Sequence, residues 1–407
     1  MKKYLAIFIL VIAVLLAFGW YKVETLPTTN NQKFAVEAAD PSAVPYSELD
    51  KAKVTSVSDK SEVQGSRYSR ITETLLVTLL NGPQKGQQVE VDQDEQLTDA
   101  KLQEVHVGDT IVVGLIKAQD QPDSWTLVDH YRLPGLEILA AVFLVLAIVF
   151  GRWRGLTSVI GLSVSIGILI WFIAPNILAG KDPVLVTLVG AGSIALVSMF
   201  LAHGFSQRTM LAVIATLFTL GLAEALAYFS VIGIKLIGNG SEEAFYLQQG
   251  FIGNVDLRGL LLGGMLIATL GILNDITTAQ SAAVEEIHDA NNSLTLKQLY
   301  KKGSSIGREH IASLINTLVL VYVGTSLPLF LLVILTTGNH QLWAILNSES
   351  LAEEIVRTLV GSMALIVAVP ITTALAAYYL THQHKKADQP KKPDDNYWDQ
   401  AIKSVKG

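Results

Sequence analysis

The chain has 407 residues, 50% of them hydrophobic and only 16% charged, with a mean hydropathy of +0.42. That balance is too apolar for an ordinary soluble domain and points to a membrane protein. There is no cysteine, which excludes disulfides, thiolate catalysis and cysteine-ligated metals, and the net charge of −6 is unevenly spread: sixteen Asp/Glu face eight Lys/Arg between Asp40 and Asp129.

In chain order, Lys2 and Lys3 precede an apolar run from Tyr4 to Trp20. Because Ala17-Phe18-Gly19 is a poor cleavage site with a bulky Trp20 after it, residues 1–22 are expected to stay as a membrane anchor. Residues 23–50, polar and proline-spaced, read as a linker. From 51 to 132 the period becomes strand-like, with candidate strands at Lys53–Val57, Glu73–Leu80, Gln87–Val91, Thr110–Ile116 and Trp125–Arg132. Asn81-Gly82-Pro83 with Gly86, and Val107-Gly108-Asp109, supply turns. Five short strands predict a small all-β domain, an OB-like barrel, closed or nearly so. Its acidity and scarcity of stacking aromatics exclude nucleic acid as a partner.

Residues 133–380 carry seven apolar segments: Leu133–Phe150, Leu156–Ala174, Val184–Ala202, Met210–Ile232, Gly259–Leu273, His310–Thr336 and Val356–Leu380. Each can cross a bilayer core of about 30 Å. With the anchor the expectation is an α-helical polytopic protein of about eight spans, whose first partner is the lipid bilayer. Arg152, Arg154, Arg208, Lys297, Lys301, Lys302, Arg308, Lys385 and Lys386 then share one side, and the opposite loops hold Glu242, Glu243, Asp256, Glu349, Glu353 and Glu354. The positive-inside rule accordingly places both termini, with a tail at 381–407, in the cytoplasm and the β domain outside, in the plasma membrane.

Polar residues inside such a bundle are the candidates for function. Glu224 stands among apolar neighbours, about 21 Å of helix from Met210. On one helix, Asn274, Thr278, Ser281, Glu285 and His288 fall on a single stripe at about 100° per residue, with Asp275 beside it. The alternative is a helix that leaves the bilayer near Asn274 and continues solvated. Glu309, Ser313 and Asn316 share a face of the next helix, which could meet the stripe across a hairpin; Arg308 is then a partner for Glu285 or Glu286. Packing by interhelical hydrogen bonds is the competing account of Ser313 and Asn316. Gly259 and Gly263 allow close helix approach, and Pro328 and Pro370 interrupt the last two segments.

Enzyme signatures fail. Gly204-Phe205-Ser206 is not completed to a nucleophile elbow, Glu285-Glu286-Ile287-His288 lacks a second histidine at zinc spacing, and no phosphate-binding loop ending in Lys-Ser/Thr occurs. No catalytic residue, metal site or cofactor is expected.

The runs GILNDITTAQSAAVEEIHDAN (Gly271–Asn291), IGREHIASLINTLVLVYVGTSLP (Ile306–Pro328) and RTLVGSMALIVAVPITTALAA (Arg357–Ala377), behind a β domain with a Val-Gly-Asp turn, resemble the YibE/F-like family of bacterial membrane proteins. The resemblance covers roughly Val54 to Leu380 and departs from the family pattern at Glu309-His310, where an aspartate and an apolar residue are expected. It implies a bacterial plasma-membrane protein and supplies no activity or site residues. The residues themselves lead to a secondary transporter or permease for an unknown solute or ion. The alternative is a non-transporting scaffold or assembly factor whose β domain binds an envelope protein partner.

Overall fold

The structure, a computed structural model, describes residues 47–58, 61–64, 69–97, 105–117, 123–241, 243–244, 247, 255–336 and 341–387. The expected anchor, most of the linker and the tail beyond residue 387 lie outside them. The described residues fall into two compact units that part between Phe150 and Gly151.

In the first unit the strands are β1 (Glu48–Val57), β2 (Ser61–Gln64), β3 (Ser69–Leu79), β4 (Gln88–Leu97), β5 (Thr110–Ile116) and β6 (Ser124–His130). Antiparallel pairs β1–β3, β3–β4, β5–β6 and β1–β5, with a parallel β4–β6 pair, close a five-stranded ring. Closure leaves no free edge in the ring. The period-2 pattern explains the interior: Val54, Leu75, Val77, Leu79, Val91, Ile111, Val113 and Leu115 alternate inward and bury together with Trp125. β2, a short ribbon paired to the start of β3, carries a single apolar residue, Val63, and so leaves no alternation to read.

The β3–β4 turn rests on Asp50. A Cβ at Gly82, whose φ is +77°, would meet Asp50 Oδ2 at 2.3 Å, so only glycine fits there. Asp50 is 3% exposed, and burial, helped by the charge of Glu48, holds its carboxyl above the usual carboxylate range.

The helices are α1 (Leu133–Ile168), running through a π-turn at Leu169–Ile173 into α2 (Ala174–Leu178), then α3 (Pro183–His203), α4 (Gln207–Ile234), α5 (Leu257–Ala290), α6 (Leu296–Thr325), α7 (Leu327–Thr336), α8 (Leu342–Leu346) and α9 (Glu349–Ala387). Asp182 caps α3 by accepting from Val184 N and Leu185 N, and Ser206 caps α4 from Thr209 N. Thr295 and Gln298 form a capping box at α6.

Five of these stretches are long and apolar enough to cross a membrane: Leu133–Leu178, Pro183–His203, Gln207–Ile234, Leu257–Ala290 and Glu349–His382. The first spans 46 residues, about 69 Å if straight and more than twice a bilayer core. Its backbone leaves the helical region at Arg152 (φ 51°, ψ −134°), between the two segments the sequence separates. The segment at His310–Thr336 is interrupted next to Pro328, as that proline implies. It is broken at Ser326, where the helix ends before Leu327-Pro328, and neither α6 nor α7 qualifies as a span alone. Pro370, by contrast, is absorbed inside α9 without a break.

In the second unit α5 is the central helix, packed against α3, α4, α6 and α9. Gly263 lets it press on α3, since a Cβ there would lie 2.6 Å from Thr187 Oγ1. Its Leu266, Leu270, Leu273 and Ile276 build the main core with Ile194, Leu220, Ala368 and Val369. At the far end of α4, Glu349 Oε1 of α9 accepts from Ile237 N (2.6 Å) and Gly238 N (3.2 Å), and Glu353 Oε1 accepts from Gly240 N (2.9 Å). Residues that mark sidedness in the sequence therefore also fasten α9 to the loop after α4.

Asp50 gives a pH prediction. A raised folded-state pKa contributes stability at pH below its unfolded value and loses it as pH rises through the folded one. The barrel of Asp50→Asn in the full-length protein should therefore resist exchange of β1 and β5 amides better than wild type at pH 7, with the difference vanishing at acid pH. Hydrogen exchange followed by mass spectrometry checks this.

Candidate functional site

α5 runs unbroken for 34 residues and remains enclosed by protein past Asn274. Thr277, Thr278, Gln280, Ser281, Val284 and His288 are all buried, so one face of α5 beyond Asn274 stays packed against protein, while Asp275, Ala279, Glu286 and Asp289 are exposed on the other. Along the stripe, Asn274 Nδ2 donates to Ser198 Oγ of α3 (3.3 Å), and Glu285 pairs with Arg208 in the first turn of α4 (3.3 Å). Asn274 and Glu285 are half-buried; Thr278 and Ser281, between them, are buried. Eleven residues separate the two closures, about 16 Å along the axis.

The expected pairing of Glu285 with Arg308 is corrected: its partner is Arg208. The reason is the rotation of α6. Its buried face is Leu299, Gly303 and Gly307, spaced four apart, and a Cβ at Gly307 would come within 2.3 Å of Val369 Cγ1 in α9. Seating that glycine face against α5 and α9 turns Arg308, Glu309, Ser313 and Asn316 outward, where all are exposed. The hairpin face expected to meet the stripe therefore does not. Asp275, about 100° around the helix from Asn274, is exposed too and stands apart from the buried stripe.

What reaches from α5 across the hairpin is an amide that the sequence reading missed. Gln280 Nε2 donates to Gly303 O (2.9 Å) and Thr373 Oγ1 (2.8 Å), tying α5 to α6 and α9 at once. Thr216 of α4 and Thr277 of α5 share a hydrogen bond of 2.7 Å nearby. The available signal was Gly303-x-x-x-Gly307, a small-residue spacing that marks where another helix lies close.

Glu224, on α4, is eight residues beyond Thr216, about 12 Å further along the axis from the Thr216–Thr277 contact. Both its carboxylate oxygens are buried and lack a hydrogen-bond partner among the described residues. The same holds for Asn274 Oδ1, Thr278 Oγ1, Gln280 Oε1 and Ser281 Oγ. Such a set can accept hydrogen bonds or ligate a cation. Among the described residues, no group of three His, Asp or Glu could hold a metal ion.

A family model described as YibE/F-like protein matches residues 139–382, and another, described as YibE/F family N-terminal domain, matches residues 46–129. No curated protein and no solved structure matches the chain.

The glycine seam is testable by suppression. Gly307→Ala, with its Cβ forced against Val369, should cost about 1–3 kcal/mol by overpacking. Adding Val369→Ala should recover part of the loss. Thermal unfolding of single and double variants measures both; equal stability of Gly307→Ala and wild type would contradict the packing.

Proposed function

The chain belongs to the YibE/F family and is an integral membrane protein, and on that premise we propose that it is a secondary transporter or permease. In this reading it crosses the plasma membrane about eight times, with both termini cytoplasmic and the closed barrel, OB-like in its strand order, outside. One observation carries the reading. Membrane-spanning helices keep buried acceptor oxygens without partners among the described residues, at Glu224 on α4 and at Asn274, Thr278 and Ser281 on α5. Each such atom costs about 1–3 kcal/mol when left unsatisfied, and hydrocarbon offers nothing to relieve it. A solute, ion or proton passing between the helices relieves that cost.

Glu224 is the residue assigned to coupling, because a lone acid among apolar neighbours must bind a proton or a cation to be stable there. The stripe on α5 supplies the polar surface, and the Arg208–Glu285 pair closes its end. The reading includes no covalent chemistry.

A scaffold that binds an envelope protein through the barrel is the second reading. It draws on the Gln280–Gly303–Thr373 junction, which fastens three helices.

Purified protein in liposomes should carry gradient-driven ion flux, read with entrapped pH- and cation-sensitive dyes. Glu224→Gln should reduce it roughly tenfold or more, a barrier change of about 1.4 kcal/mol, whereas Asp275→Asn should leave it near wild type. Unaltered flux in Glu224→Gln, or none in wild type, would favour the scaffold.

A further inference from the structure

We propose that the face of α5 between Asn274 and Glu285 binds one dehydrated alkali-metal cation, held by Asn274 Oδ1, Thr278 Oγ1 and Ser281 Oγ. This deepens the transport reading, on which the use of that cation as the coupling ion rests.

The first argument is a departure from the habit of the bundle. Many buried helical hydroxyls here donate to the carbonyl four residues back, and Thr209 and Thr216 pair with a neighbouring hydroxyl instead. Thr219 donates back to Ala215 O, Thr269 to Met265 O, Thr277 to Leu273 O, Ser362 to Thr358 O and Thr373 to Val369 O, all at 2.7–2.8 Å. Such back-bonding is the ordinary way a hydroxyl is accommodated in a membrane helix. Thr278 and Ser281 do not follow it, and their oxygens have no partner among the described residues. Both are more than nine-tenths buried, at 9% and 1% exposure. Asn274, one turn away, gives its amide nitrogen to Ser198 and leaves Oδ1 unpartnered.

The second argument is the chemistry of the set. These donors are neutral oxygens, one amide carbonyl and two hydroxyls. Hydroxyl and carbonyl oxygens without a carboxylate cage are too weak a field for Ca²⁺ or Mg²⁺, which recruit Asp and Glu. They suit a monovalent cation, whose smaller dehydration cost they can replace. An anion is disfavoured because the neighbouring guanidinium, Arg208, is engaged by Glu285.

The third argument is enclosure. The Asn274–Ser198 bond lies at one end of the face and the Arg208–Glu285 pair at the other. Packing alone gives no reason for the two hydroxyls: alanine or valine would fill the same space without an unpaired oxygen.

The test is direct binding of radioactive sodium to full-length protein in detergent, by scintillation proximity, with potassium, rubidium or choline chloride as competitors. Saturable binding of one ion per chain, displaced by alkali cations and not by choline, is the expected result. Thr278→Val and Ser281→Ala should each weaken it roughly tenfold or more while leaving thermal stability in choline chloride unchanged or raised. Absence of saturable binding with every alkali cation, or equal binding in wild type and both variants, overturns the proposal. Flux measured on the same preparations separates the two readings. Binding without flux keeps the site and removes the carrier; flux without binding keeps the carrier and removes the site.

Discussion

A polar atom placed in hydrocarbon must find its partner inside the protein, and that constraint organises the helical unit. α5 is the element on which it presses hardest, because its second half carries Asn274, Thr277, Thr278, Gln280, Ser281, Glu285 and His288 while enclosed by α3, α4, α6 and α9. The surrounding helices meet the demand in two different ways, on two faces of the same helix.

On the face toward α6 and α9 protein meets the donor half of the demand: Gln280 Nε2 is satisfied, while its Oε1 has no partner among the described residues. Gly303 and Gly307 bring α6 close enough for its backbone carbonyl to reach Gln280, and Thr373 receives the same amide. Interhelical hydrogen bonds of this kind average only about 0.6 kcal/mol, so their use is to fix rotation and register rather than to add stability. That rotation decides which side of α6 is buried, and hence why Glu309 and Asn316 end up exposed. On the face toward α3 and α4 the demand is left open between two closures. The contrast argues that the open face is retained for something other than holding helices together.

Legibility from the sequence followed the physics of each signal. Strands came through where apolar and polar residues alternate, as in Thr110–Ile116, and β2 was lost because Ser61–Gln64 has one apolar residue. The stripe on α5 was readable because helical periodicity relates residues of one element to each other. Its partners were not, since Arg208 and Arg308 are equally plausible ions and only the packing of Gly303 and Gly307 decides between them. Gln280 was passed over for a related reason: it lies beside the stripe, and its importance comes from two residues on other helices. Pro328 announced the break at Ser326, whereas Pro370, read the same way, sits inside an unbroken helix, because a proline shows where a helix can be interrupted and packing decides whether it is.

The central claim is that the face of α5 holding Thr278 and Ser281 opens to aqueous solutes while the Gln280–Thr373 face stays dry. The natural absence of cysteine makes single-cysteine labelling in native membranes the most direct measurement. Ser281→Cys and Thr278→Cys should react with a small water-borne methanethiosulfonate reagent, and Thr373→Cys should not. Failure of both stripe positions to react, or labelling of all three alike, would contradict the account.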